Sequence, residues 1–142
     1  MVNSVLNAVT KQLGTTFGSS YRIYVEDVEQ TLQTPCFTVN TLMPLQRAKS
    51  SVLYDRTFPI VIHYFGDSEN DIKKDCYAMG EQISECLEYL PIGTTIIRGE
   101  NISYQMVDDV LQLFVTYEFV TKRVTETPDN MESVVEQVTH TQ

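Results

Sequence analysis

Positive charge is scarce in this chain: ten Lys and Arg stand against nineteen Asp and Glu, a formal net charge of −9 over 142 residues. A nucleic-acid surface needs clustered Lys and Arg to displace counterions from phosphate, so this balance excludes a dedicated nucleic-acid binder. An acidic surface instead repels phosphate and lets DNA slide past without sticking. Histidine is nearly missing, with only His63 and His140. Neither has a Cys, Asp or Glu at metal-ligand spacing, and His63 reads as a packing or surface residue of a strand. Cys36, Cys76 and Cys86 form no CxxC pair and leave an odd count, which fits neither a disulfide framework nor a zinc site, so all three read as reduced packing residues. No run of about 18 apolar residues occurs, so no bilayer-spanning helix is expected. The opening Met1-Val2-Asn3-Ser4-Val5-Leu6 lacks the basic and apolar segments of a secretory signal, and cytoplasmic synthesis is expected. No GxGxxG, P-loop or nucleophile elbow is present, which leaves an enzyme without a starting point.

What is present suffices for one domain. The hydrophobic fraction is 42%, and eight Tyr and six Phe supply bulk for a core. Val2, Leu6, Val9, Leu13 and Phe17 recur at helical spacing, with Gly14 and Gly18 punctuating the end. Tyr21 to Glu26 and Pro35 to Leu42 alternate as strands, with Asp27 to Thr34 as the link. Met43 to Ser51 has no clear period and reads as a mobile loop. From Leu53 to Phe65 alternation returns, with Phe58, Ile60, Ile62 and Tyr64 on one side and Val61, His63 and Phe65 on the other.

A second helix is predicted from Ser68 to Leu90. Ser68 is its expected N-cap, Glu69 and Asp71 complement the helix dipole, and Ile72, Cys76, Met79, Ile83, Leu87 and Leu90 form its apolar face. Pro91 and Gly93 stop it. Gly80 inside it should cost about 1 kcal/mol against Ala, which marks a close approach to the sheet. Beyond it come Ile96 to Arg98, a break or bulge at Gly99-Glu100, and the alternating Ile102, Tyr104 and Met106. Asp108-Asp109 makes a tight turn before the long alternation Leu111, Leu113, Val115, Tyr117 and Phe119. The order α-β-β-β-α-β-β predicts an α+β fold: a single antiparallel-dominated sheet with two helices on one face, because each helix has one stripe to bury.

The domain is expected to span residues 1–124. Residues 125–142 differ: Glu126, Asp129, Glu132 and Glu136 accompany many Thr and no Lys or Arg, and Pro128 interrupts. Met131, Val134, Val135 and Val138 could line a short helix, marginal alone, so this tail is expected to be flexible or ordered by a partner.

Few side chains invite a chemical role. Asp108 and Asp109 are adjacent carboxylates, but neighbouring strand residues face opposite ways, so a turn explains them better than acid–base work. The second helix carries seven acids, Asp67 at its entry and then Glu69, Asp71, Asp75, Glu81, Glu85 and Glu88, against Lys73 and Lys74, either as a solvated face or as an acidic docking surface or a wall beside a DNA channel. Arg47, Lys49 and Arg56 flank the serine-rich loop, either solvated or facing an acidic partner.

Taken whole, the chain resembles the phage tail terminator family of contractile-tailed phages, defective prophages and related bacteriocin-like tail particles. The resemblance is carried by the opening helix Asn3 to Leu13, Tyr21-Arg22-Ile23-Tyr24, Val28-Glu29-Gln30, Pro35-Cys36-Phe37, His63-Tyr64-Phe65, Leu87-Glu88-Tyr89, Ile97-Arg98-Gly99 and Val107-Asp108-Asp109-Val110-Leu111. It covers about residues 1 to 123, with Asp108-Asp109 standing where the family's hairpin carries Asp-Gly. It implies a tail-terminator-like subunit of a ring, hexameric by resemblance, that caps the head-proximal end of the tail tube, ends tail growth and joins the neck or sheath. It implies no cofactor, no catalytic residue and no membrane partner; DNA passes through unbound. Within such a ring the expected interface residues are Arg47, Lys49, Arg56, Met131, Val134, Val135 and Val138, and the expected acidic lumen includes Glu100 and Asp108. The rival readings are another tail-completion or head–tail joining protein, whose loss would leave tails of normal length, and a cytosolic binding or regulatory domain, which would be absent from particles.

Overall fold

Val5, Leu6, Val9 and Leu13 are buried along one face of helix α1, Val2–Phe17. The computed structural model describes residues 2–26, 33–66, 71–125 and 134–139. The helix runs through Gly14 and ends at Gly18, where a φ of 80° suits glycine and the amide donates to the Gly14 carbonyl at 3.0 Å. Strands β1 (Arg22–Val25), β2 (Cys36–Thr41), β3 (Leu45–Ala48) and β4 (Leu53–Phe65) follow, then helix α2 (Ile72–Leu87) and strands β5 (Tyr89–Ile92), β6 (Thr95–Val107), β7 (Val110–Thr125) and β8 (Val134–Thr139). Of the link expected from Asp27 to Thr34, residues 27–32 lie outside the described residues, as does Val28-Glu29-Gln30 of the family resemblance.

The sheet runs in the order β1-β2-β4-β7-β6-β5, with β3 pairing β4 and β8 pairing β7. Among the described residues only β1 and β2 pair in parallel; the other ladders are antiparallel, as expected. Strands β4 and β7 are the spine, paired from Leu53↔Lys122 to Tyr64↔Leu111. Each is longer than its other neighbours, so two strands share its remaining edge. On β4, β2 takes residues 60–65 and β3 takes 54–57. On β7, β6 takes residues 110–117 and β8 takes 120–125.

Three local expectations need correction. Met43 to Ser51 is not all loop, because Leu45–Ala48 is strand β3, exposed throughout. Its strand state comes from backbone pairing to β4, and a strand wet on both faces has no apolar alternation to read. The C-terminal valines Val134, Val135 and Val138 lie in strand β8, not in a helix; Met131 and His140 lie outside the described residues. Paired β-branched residues and Thr favour strand, and β7 beyond the end of β6 offers an unpaired edge. Helix α2 begins at Ile72 with Asp71 at its N-cap position, without a side-chain capping bond. The expected cap Ser68, with Asp67 and Glu69, lies outside the described residues.

Helix α2 also ends earlier than its apolar stripe, and Leu90 belongs to β5. Pro91 disfavours helical backbone at the residue before it. The last carbonyls of the helix meanwhile find partners elsewhere. Gln12 Nε2 of α1 donates to Cys86 O at 3.1 Å, the Tyr117 hydroxyl of β7 to Leu87 O at 2.7 Å, and the Gly99 amide of β6 to Glu88 O at 2.6 Å. Such partners satisfy carbonyls that a helix end leaves orphaned.

One core results. Phe58, Ile60, Ile62 and Tyr64 of β4 and Leu111, Leu113, Val115, Tyr117 and Phe119 of β7 face the stripes of α1 and α2, so both helices cover the same sheet face. Gly80 is where α2 comes closest: a Cβ there would lie 2.8 Å from the Tyr104 ring of β6. The bulge expected at Gly99-Glu100 sits between Glu100 and Ser103, with Asn101 at φ 53°. Asp108 and Asp109, at φ 52° and 62°, make the two-residue turn between Val107 and Val110.

Candidate assembly surfaces

The β3–β4 hairpin holds the basic residues singled out in the sequence. Its turn is tied by Ser50, whose Oγ accepts from the Val52 and Leu53 amides at 3.3 and 3.1 Å, while the Lys49 amide donates to Leu53 O at 2.8 Å. Register places Arg47 opposite Asp55, and Lys49 Nζ lies 3.5 Å from Asp55 Oδ1. Arg56 stacks its guanidinium over the Phe58 ring at 5.5 Å. Between hairpin and sheet opens a cleft of about 420 Å³ lined by Arg47, Asp55, Arg56 and Glu118 among others.

Glu118 connects this basic corner to an expected lumen residue. Its carboxyl is held above the usual carboxylate range, by burial first and then by the neighbouring charge of Glu100 on β6. In the strand order β7 alone separates Arg56 of β4 from Glu100 of β6, and β4 and β7 together separate Arg47 of β3 from it. Asp108 stands apart at the far end of β6, roughly 20 to 25 Å along the strand from Glu100 at about 3.3 Å per residue. Val134, Val135 and Val138 reach β7 through the β8 ladder, where Val138 pairs with Thr121 and Val135 with Val124.

The acids of α2 divide into two groups. Asp75 accepts the Tyr64 hydroxyl at 3.0 Å and Glu88 pairs with Arg98 at 3.5 Å, whereas Glu81 and Glu85 are exposed. Sequence reasoning missed the exposed apolar patch at the base of the hairpin: Leu42, Met43 and Leu45 are exposed, Met43 at 84%. The signal was available, since Leu42-Met43-Pro44-Leu45 is an apolar run assigned to no core face. The cysteines are all free and buried, and burial pushes each thiol up from its ordinary pKa. Among the described residues no group of three or more His, Cys, Asp or Glu is placed to hold a metal ion, and no helix is long and apolar enough to cross a membrane.

A family model described as phage tail terminator protein matches residues 4–129. The chain belongs to that family. As a tail terminator family member it has a role in phage tail assembly, in association with the virion and with other tail proteins. No curated protein matches the chain. One solved chain, titled only with a sequence identifier, is 11% identical over 89% of this chain and 99% of its own, with a TM-score of 0.46. A likeness that distant carries no functional information. The tail terminator match ends within 126–133, so β8 lies beyond it.

Proposed function

We propose that this chain assembles into a ring, six copies by family resemblance, that caps the head-proximal end of the tail tube, ends its growth and presents a surface to the neck or sheath. The family match over residues 4–129 carries this reading. The open strand edges support it: β1 and β5 end the sheet, and unpaired edge groups call for pairing, charge or cover. In this reading residues 1–124 are the ring-forming domain, and residues 125–142 are an appended segment, held to β7 through β8, that also packs on a neighbour. The chain acts as a structural part without cofactor or catalysis, in a contractile tail or bacteriocin-like particle assembled in the host cytoplasm.

Deletion tests the reading directly. Particles lacking the chain should carry overlong or unstoppered tails, whereas tails of normal length that fail to join heads would assign it to head–tail joining instead. Electron microscopy of purified protein, with its mass in solution, should show a closed ring.

The lumen is proposed to be acidic at Glu100 and Asp108, letting DNA pass by repulsion. Glu100→Lys is the cleaner test, because Asp108 sits at φ 52° and a lysine there would also strain the turn. Slower genome passage with unchanged folding is expected, and normal ejection in the Glu100→Lys particle counts against an acidic lumen.

A further inference from the structure

We infer that copies of this chain join head to tail, with the basic β3–β4 hairpin of one copy, and the exposed apolar residues at its base, seated on the acidic ridge of α2 in the next. This rests on the ring reading and specifies its contact. Five of the chain's ten Lys and Arg gather at one corner: Arg47, Lys49, Arg56, Lys122 and Arg123. The register Leu53↔Lys122 and the bond from the Arg123 amide to Val52 O at 2.7 Å bring the last two beside the hairpin end. At the other end of β3, where the chain leaves β2, Leu42, Met43 and Leu45 stand exposed. In a chain of net charge −9, a basic corner flanked by apolar side chains is complementary to most of the remaining surface and to its own kind least.

The opposite flank supplies the matching surface. Tyr77, Glu81 and Glu85 lie four residues apart on α2, and residues at that spacing form one ridge. The Tyr77 ring is 6.4 Å from Tyr104 of β6, which sets the ridge toward the β6–β5 end of the sheet. Beside it Tyr89 and Ile96 are each 53% exposed. The flank therefore carries the acids Glu81 and Glu85 with exposed aromatic and aliphatic side chains, bounded by Lys73 one turn before Tyr77 and by Arg98, which lies over the Tyr89 ring at 5.9 Å and pairs with Glu88.

Position decides the type of contact. The hairpin lies on the β2 side of β4, while α2 packs on the other side of β4, over β7 and β6, and runs into β5 at the far end of the strand order. Complementary patches on opposite flanks make a heterologous contact, which propagates from copy to copy and closes into a ring when the rotation allows. Hairpin-to-hairpin and ridge-to-ridge contacts set like charges together, which disfavours a two-fold pair. Exposed ion pairs contribute little each, so burial of Met43 and its neighbours supplies affinity and the charges set register.

Charge reversal in the full-length chain tests this. Arg47→Glu with Lys49→Glu, and separately Glu81→Lys with Glu85→Lys, should each reduce the assembled fraction by about ten-fold or more, in solution or on purified tail tubes. An equimolar mixture of the two variants should restore assembly, because each reversed hairpin then meets a reversed ridge. Met43→Ser should weaken assembly without altering its charge dependence. Thermal melting controls for folding, and the single changes Arg47→Glu and Glu85→Lys replace any double variant that melts early. Failure of the unaltered chain to assemble, alone or on tubes, overturns the ring reading itself. Assembly of both reversed variants at the unaltered level, or a mixture that stays unassembled, overturns this contact and leaves the ring reading standing. Sensitivity to the hairpin reversal alone also overturns it, and points to an acidic surface of another tail protein.

Discussion

The Tyr117 hydroxyl donates to the Leu87 carbonyl at 2.7 Å, tying the middle of β7 to the last residue of α2 inside the core. Tyr117 is fully buried, and burial pushes its phenol well above the ordinary range, so it remains a donor at any working pH. Tyr117→Phe keeps the ring and leaves the Leu87 carbonyl unpaired. The expected loss is about 1–3 kcal/mol, read as a lower urea midpoint at unchanged slope. An unmoved midpoint would mean that water or a backbone shift replaces the bond.

Gly99 and Gly80 should respond differently to alanine. A Cβ at Gly99 would meet the Leu87 carbonyl oxygen at 2.9 Å and Val115 Cγ2 at 2.8 Å, and backbone cannot swing aside. At Gly80 the obstacle is the half-buried Tyr104 ring, which can rotate outward, and alanine recovers about 1 kcal/mol of helix propensity. Gly99→Ala should therefore lower the melting temperature clearly more than Gly80→Ala. Equal losses would show that Tyr104 is as fixed as the helix end.

His63 should make stability depend on pH on the acid side. It sits on the sheet face away from the helices, between Thr38 and Gln112, and burial lowers its pKa. A folded value below the unfolded value of about 6.5 means that the unfolded chain binds the proton more readily. Stability is then complete above the unfolded value and is lost as pH falls through and below it. Denaturation midpoints measured from pH 7.5 to 5 should fall less steeply in His63→Gln; parallel curves would remove His63 as the cause.

The β6–β7 turn is built from two non-glycine residues at positive φ, which costs on the order of 1 kcal/mol per residue. Asp109→Gly should relieve part of this and raise the melting temperature while leaving assembly unchanged. A lower melting temperature would reveal a contact of the Asp109 side chain worth more than the strain.

Truncation after Val124 should preserve cooperative melting and weaken association with copies or tubes. Among the described residues, β8 of the segment removed pairs with residues 120–125 of β7, beyond the β6 ladder and overlapping the β4 ladder only at its end, residues 120–122. Non-cooperative melting of the truncated chain would make β8 part of the folding unit and move the domain boundary beyond 124.

The amino-acid sequence by itself determined the elements whose signal is local. The stripe of α1, the inward alternation of β4 and β7, the Asp108-Asp109 turn, the bulge after Gly99 and the close approach at Gly80 all follow from period and turn chemistry within a few residues. The ordered set of such elements was also enough to show the resemblance to tail terminators. Tertiary structure decided what depends on partners distant in the chain. Leu45–Ala48 is a strand only because residues 54–57 of β4 lie beside it, and Val134–Thr139 only because β7 outruns β6. The end of α2 was set by Gln12, Gly99 and Tyr117, drawn from three other elements. Register alone brought Glu118 against Glu100 and gathered Lys122 and Arg123 beside the hairpin. A backbone donor or a charge accepts whichever group the fold carries to it, and that choice leaves no period in the sequence.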